Sequence, residues 1–336
     1  MTSPALSVVI PVYNEEAGLP ALFARLYPAL DALQIPYEII FVNDGSRDRS
    51  AAVLKSQFLA RPDVTRVVLF NANYGQHTAI IAGFERVRGE RVVTLDADLQ
   101  NPPEEIGNLL AQMDAGHDYV GGVRRRREDA WWRRVASRAM NRVRERITRI
   151  KMTDQGCMLR AYSRDIVDAV AASREVSTYI PALAYTFAYS PTEVEVAHEE
   201  RAAGESKYSL YQLIRLNFDL ITGFSLVPLQ LFSIFGMIVA AMSLLVYAVV
   251  VAQRVVAGDF IGGFYALWDR DVLQFFLIGV VLFGVGLVGE YVGRISQQVR
   301  DRPRYTLRAV LEQAQSEIPA AQIENPEPQR TQRTQR

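Results

Sequence analysis

Between residues 6 and 122 the chain alternates short β-rich runs with stretches of helical periodicity. Leu6–Val12, Tyr37–Asn43, 64–70, 91–95 and 119–121 read as strands, and 16–33, 48–60, 76–88 and 103–115 as the helices between them. This alternation predicts a parallel sheet with helices on both faces. Sheets of that kind bind ligands outside the carboxyl ends of their strands. Asn14 and Glu15 follow the first run, Asn43-Asp44-Gly45-Ser46 the second, and Asp96-Ala97-Asp98 the fourth. The polar clusters therefore fall where such a fold binds.

The run Asp96-Ala97-Asp98-Leu99-Gln100 offers two carboxylates and a nearby amide oxygen. That donor set suits Mg²⁺ or Mn²⁺, hard cations that are held by one or two carboxylates and completed by substrate phosphates. Such a cation would bind a diphosphate and stabilise charge on it as it departs. The alternative is a polar turn capping the helix after Pro102-Pro103; the position beside two other polar strand ends favours the metal. Asp44 can accept hydrogen bonds from a uracil N–H or ribose hydroxyls, and Tyr13 offers a ring face to a base. Asp44-Gly45 is also a common turn dipeptide.

The zero net charge conceals a basic segment, twelve Lys/Arg against three Asp/Glu over 124–151. Residues 131–150 read as an amphipathic helix, either a solvated charged face or a helix lying on anionic lipid with Trp131 and Trp132 at headgroup depth. A second amphipathic stretch, 206–224, leads into 225–253, an uncharged run of 29 residues. About 20 apolar residues suffice to span a bilayer core. The run 272–292, with Glu290 as its one charge, is a second candidate span. Arg294, Arg300, Arg302, Arg304 and Arg308 follow it, which predicts a cytoplasmic end. The sequence thus predicts a two-span hairpin with both termini in the cytosol, in keeping with a start (MTSPA) that lacks a basic leader. Gly284, Gly286 and Gly289 match G-x-G-x-x-G, but without a preceding strand they suit close helix approach in lipid instead. The single cysteine, Cys157, permits no intrachain disulfide and is expected to be a buried thiol. The tail from 313 is expected to be disordered. No P-loop and no Cys/His zinc spacing is present, and no nucleic-acid partner is expected.

Val8-Val9-Ile10-Pro11-Val12-Tyr13-Asn14-Glu15, Asn43-Asp44-Gly45-Ser46 with Asp48 and Ser50, and the run 96–105 resemble the GT-A fold glycosyltransferases of family 2. The run 200–209 followed by two spans is similar to the polyprenyl-phosphate branch. Within that branch, Asn73-Tyr74-Gly75-Gln76-His77, the segment 154–162, Ser177-Thr178 and Ile180-Pro181 resemble the group that moves a formamido-arabinose onto undecaprenyl phosphate. Transfer of a hexose from UDP-glucose or a similar donor is the runner-up.

The resemblance implies a GT-A domain over 1–205, an interface helix over 206–224, a hairpin over 225–294 with spans at about 226–252 and 272–293, a basic cytoplasmic segment over 295–312 and a tail. It implies a bacterial inner-membrane enzyme with a UDP-sugar donor, a lipid phosphate acceptor, membrane lipid around its spans, and a tendency to homo-oligomers. Pro11, Tyr13, Glu15, Val42 and Asp44 would hold the nucleoside. Asp96 and Ala97 would meet the donor, and Asp98 and Gln100 would ligate Mg²⁺ or Mn²⁺. Arg124, Arg201 and Lys207 would meet the donor diphosphate or acceptor phosphate. Asp154 falls where the family carries an acid near the reacting centre; Cys157 stands where some relatives are acidic. A phosphate monoester is largely dianionic at neutral pH, so positioning matters more than a strong base. Direct attack predicts inversion.

Overall fold

The structure, a computed structural model, describes residues 3–124, 150–154, 156–173, 179–199, parts of 227–245, 265–299 and 303–313. Its centre is an eight-stranded sheet. In chain order the strands are β1 (Leu6–Val12), β2 (Tyr37–Asn43), β3 (Thr65–Phe70), β4 (Arg91–Thr94), β5 (Tyr119–Arg124), β6 (Arg160–Ser163), β7 (Pro191–Val196) and β8 (Leu307–Leu311). In space they run β7-β5-β6-β4-β1-β2-β3-β8. The helices are α1 (Leu19–Asp31), α2 (Ser50–Ala60), α3 (Gln76–Phe84), α4 (Ile106–Asp114), α5 (Arg164–Ala172), α6 (Ile180–Phe187) and α7 (Tyr265–Val299).

Strand alternation divides the core. Val8, Ile10 and Val12 of β1 face one side with Leu19, Leu22, Leu26 and Leu30 of α1, whose three- and four-residue spacing makes one apolar stripe. Val9 faces the other side with Ile40, Val42 and the buried face of α3, backed by α5 and α6. A strand covered on both faces needs a near-continuous apolar run, which LSVVIPV supplies.

β2 pairs parallel with β1 and β3 with β2, whereas β4 returns to pair parallel with β1 on its other side. The strand order thus reverses between β1 and β4, and such a switch point opens a crevice at the strands' carboxyl ends. The strands expected over 6–122 all run in one direction, and two strands outside that range make the sheet mixed. β6 is antiparallel to both β4 and β5, and β8 is antiparallel to β3. β6 was hidden in the sequence because Arg160 interrupts its apolar run. β8 comes from 307–311, inside the segment expected to be only a basic cytoplasmic stretch, and forms the sheet edge.

The expected interface helix 206–224 and the tail beyond 313 lie outside the described residues, as do all but the last residue of the helix 131–150. Much of the first span, 226–252, does too. Among the described residues no helix is long and apolar enough to cross a membrane, so the expected hairpin is not established by the fold. Phe232 packs its ring against Gly284 of α7 and lies 5.8 Å from the Phe283 ring, so close approach at Gly284 does occur.

The edge strand is fastened by a buried ion network. Glu38 accepts from the Ser7 hydroxyl (2.7 Å), the Arg88 N–H (2.6 Å) and the Arg66 guanidinium (3.0 Å). Arg66 also donates to Glu312, just past β8, at 2.8 Å. Removing Glu38 leaves Arg66 with only the more exposed Glu312 and leaves the Ser7 and Arg88 donors unmet, at about 1–3 kcal/mol. Glu38→Leu is therefore expected to destabilise the protein by roughly that amount in urea unfolding; a change below about 1 kcal/mol would show that water reaches Arg66.

Candidate active site

The loops after β1 and β2 are stitched together by side chains accepting backbone N–H groups. The Asn14 N–H donates to Ser46 Oγ (3.0 Å), Glu15 N–H to Ser50 Oγ (3.0 Å) and Glu16 N–H to Asp48 (3.1 Å). In return the Arg47 N–H donates to Asn14 Oδ1 (2.8 Å) and the Arg49 N–H to Glu16 (2.9 Å). Asn14 takes φ +54°, a left-handed conformation that asparagine tolerates well. Within this frame Pro11 and Val42 are register partners on neighbouring strands. The Tyr13 side chain is exposed, and Glu15 stands at the start of the turn into α1. Val42 is buried in the core beside α3, so any contact of its own with a ligand must come through its backbone.

Asp44 is 2% exposed at the end of β2. Its carboxylate accepts from the Tyr74 N–H (2.6 Å), the Gly75 N–H (2.9 Å) and the Asn73 amide (2.9 Å). Burial pushes its carboxyl above the ordinary carboxylate range, opposed by the two backbone N–H groups. With about four acceptor directions on a carboxylate, one is left for a ligand. Gly45 is needed beside it: its φ is +64°, and a Cβ there would fall 2.3 Å from the Ala72 carbonyl carbon.

The loop that Asp44 holds leads into α3, whose first residue, Gln76, donates its amide to Asp96 Oδ1 at 2.7 Å. Asp96 and Asp98 sit in one turn after β4. Leu99 takes φ +58° there, and Asp98 Oδ1 accepts the Gln100 N–H at 3.1 Å. Ala97 is buried among the core residues of the α1 side. The Gln100 carbonyl accepts the Glu199 N–H at 2.9 Å, joining this turn to the chain after β7.

Arg124 closes the crevice from β5. Asp154 grips its guanidinium in two parallel bonds, 2.6 Å from Nε and 2.8 Å from a terminal nitrogen, and also accepts the Gly156 N–H (2.9 Å) and the Arg124 N–H (3.3 Å). Burial pushes the Asp154 carboxyl up, but the Arg124 guanidinium outweighs it and holds the group below its ordinary range. The bond to Asp154 raises Arg124 in turn, and the nearby charge of Asp96 adds to this. So occupied, Asp154 is built to position Arg124 rather than to take up a proton. Cys157 is fully buried; burial pushes its thiol up to about 11, which keeps it protonated. His77 is pushed down to about 4 by burial and stands edge-on to Tyr179, so its ring is neutral at physiological pH.

Residues 7–171 match the model for Glycosyl transferase family 2. The undecaprenyl-phosphate 4-deoxy-4-formamido-L-arabinose transferase of Serratia proteamaculans is 49% identical over 307 residues, covering 91% of this chain and 94% of that one. The enzyme of the same name from Aeromonas hydrophila subsp. hydrophila is 46% identical, covering 92% and 94%. That from Pseudomonas paraeruginosa is 48% identical, covering 94% and 93%. The chain belongs to this transferase family. It is a family 2 glycosyltransferase with a GT-A fold. Among solved structures, Mycobacterium tuberculosis glucosyl-3-phosphoglycerate synthase matches at TM-score 0.47 and 19% identity, covering 65% of this chain and 78% of that one, too loosely to bear on function.

For a glycosyltransferase of this family the acid turn fits a divalent cation in one respect and not in another. Among the described residues no three His, Cys, Asp or Glu side chains converge as a closed cage. Two carboxylates in one turn, with coordination left for phosphate and water, are nonetheless what Mg²⁺ needs in a nucleotide site. Of the residues expected at the site, the fold gathers Pro11, Tyr13, Glu15, Asp44, Asp96, Asp98, Gln100, Arg124 and Asp154 along the carboxyl edge; Arg201 and Lys207 lie outside the described residues. Gln76 was missed as a contact of Asp96, since its partner is 20 positions away.

A carboxyl held below its ordinary range stabilises the fold above its unfolded pKa, and that contribution disappears as pH falls through the folded value. Asp154→Asn is therefore expected to be less stable than wild type at pH 6, with the gap closing below about pH 4. Urea midpoints at both pH values check this, and a gap independent of pH would refute it.

Proposed function

We propose that this chain transfers 4-deoxy-4-formamido-L-arabinose from its UDP-sugar to undecaprenyl phosphate at the cytoplasmic face of a bacterial inner membrane, for lipid A modification. The observation that carries the reading is the meeting of Asp96, Asp98 and an Asp154-held Arg124 on one sheet edge, in a chain whose relatives across nine-tenths of its length carry that activity in their names. A phosphate oxygen of the acceptor attacks the anomeric carbon. The bond from that carbon to the diphosphate breaks, UDP leaves with the electron pair, and the configuration inverts. Asp98 and Gln100, with Asp96 beside them, would hold Mg²⁺ or Mn²⁺, which supplies charge neutralisation to the departing diphosphate. Arg124 is the chain's own partner for phosphate oxygens, pre-oriented by its carboxylate clamp. Its two hydrogen bonds to Asp154 leave other N–H donors on the guanidinium for a ligand.

A polyprenol cannot leave the bilayer, so the site has to come to its phosphate. The uncharged run 225–253 supports a membrane anchor, as do the exposed Val281, Leu282, Phe283 and Val285 of α7. The basic segment 124–151 suits an anionic lipid surface.

Purified protein, undecaprenyl phosphate and a panel of UDP-sugars, with and without EDTA, test the reading. Turnover is expected with the formamido-arabinose donor, lost in EDTA and restored by Mg²⁺ or Mn²⁺; preference for UDP-glucose would overturn the sugar assignment. NMR of the lipid product should show an inverted anomeric centre. Asp98→Ala is expected to lose at least about a hundredfold in kcat while the protein stays in the membrane fraction. Unchanged turnover in that variant would remove the metal assignment.

A further inference from the structure

Arg160 is the largest fully buried side chain of the described residues. It opens β6, where it lies opposite Thr94 of β4 on one side and Gly121 of β5 on the other. Its guanidinium donates to the Tyr119 hydroxyl (2.5 Å), the Asp154 carbonyl (2.6 Å) and the Cys157 carbonyl (2.8 Å). All three acceptors are neutral. Among the described residues no carboxylate forms an ion pair with it, although a guanidinium stays charged at any physiological pH. A buried charge without a counter-charge is costly, and carbonyl dipoles offset it only in part.

Its place in the sheet says where the missing negative charge belongs. Thr94, its register partner, is two residues before Asp96. The carbonyls it holds belong to the two ends of the 154–157 segment, which carries the Asp154 carboxylate that clamps Arg124. Arg160 thus lies behind the acid turn on one flank and the Arg124 clamp on the other. The Asp154 carboxylate is taken by Arg124, and Glu193, whose Cγ also lies close to Gly121, accepts the Thr153 N–H at 2.7 Å, so among the described residues neither forms an ion pair with Arg160. Without Arg160 the crevice loses a positive charge that favours an anion.

We propose that Arg160 is a positioning residue for the donor diphosphate: it fixes the 154–157 segment under Arg124 and contributes an unneutralised positive charge whose counter-charge arrives with the nucleotide. The inference rests on the UDP-sugar reading of the same site. It predicts selectivity for UDP over uridine, since only the phosphates feel the charge. In the low-dielectric interior the charge of Arg160 is weakly screened and acts beyond its own hydrogen bonds.

Isothermal titration of the full chain in detergent, with Mg²⁺, compares UDP with uridine. Arg160→Met is expected to weaken UDP at least about tenfold, some 1.4 kcal/mol, with uridine unchanged. Arg160→Lys, which keeps the charge without the fork, is expected to recover most of that loss. If Arg160 served only to hold the loop carbonyls, Arg160→Lys would lose as much UDP affinity as Arg160→Met, and that result overturns the charge role. If Arg160→Met does not fold, Gly121→Ala takes its place: the added Cβ would lie 2.9 Å from the Arg160 guanidinium and displace it. A severalfold loss of UDP with uridine intact supports the proposal. An unchanged ratio of UDP to uridine affinity in the folded variant overturns it. A wild-type protein that binds neither ligand removes the donor reading itself.

Discussion

A carboxylate that the fold buries must collect hydrogen bonds, and at Asp44 that requirement organises the site. The three donors it gathers come from Asn73, Tyr74 and Gly75, so satisfying one side chain at the end of β2 pulls in the loop after β3. That loop sets the first turn of α3, and α3 begins with the glutamine that reaches Asp96. Burial, loop conformation and the orientation of a proposed metal ligand are thus consecutive steps of one hydrogen-bond path. Gly45 keeps the path open, because no side chain fits between it and the Ala72 backbone.

The same logic gives Arg124 its direction. A long guanidinium at a strand end would sample many rotamers; two parallel bonds to Asp154 leave it one. A pre-oriented cation gives up little freedom when phosphate arrives, which is where electrostatic catalysis gains its advantage over water. Among the described residues, three nearby candidates for a base are each otherwise engaged. Asp154 is occupied, Cys157 is held protonated and His77 is held neutral by burial. A dianionic acceptor phosphate asks for none of them as a strong base.

What the sequence disclosed and what it withheld divide along a physical line. β1 and β2 were legible to the residue because both are apolar on both faces and end in polar turns. Asp96 and Asp98 were legible because a D-x-D after an apolar strand is a local pattern. The work of Asp44 was not, because its donors lie 29 to 31 positions away. β6 was concealed by the charge of Arg160, which reads as surface until Tyr119 and two carbonyls are seen around it. β8 was concealed by its neighbours, since a five-residue edge strand within a basic stretch has no periodicity long enough to separate it.

β8 changes how the two halves of the chain are related. It follows α7, so the sheet's outer edge is built from chain that has already passed through the apolar helix. It is held by more than its pairing with β3. The Tyr305 ring stacks on Phe70 at 4.7 Å, and its hydroxyl bonds both Glu85 and Arg86. Glu312 then enters the buried network of Arg66 and Glu38. An unpinned chain here would leave this edge of the sheet open, whereas a strand held by a stacked aromatic and an ion pair closes it. The same contacts join Arg66, Glu85 and Arg86 to residues far along the chain, so the segment after α7 is part of the fold that carries the site.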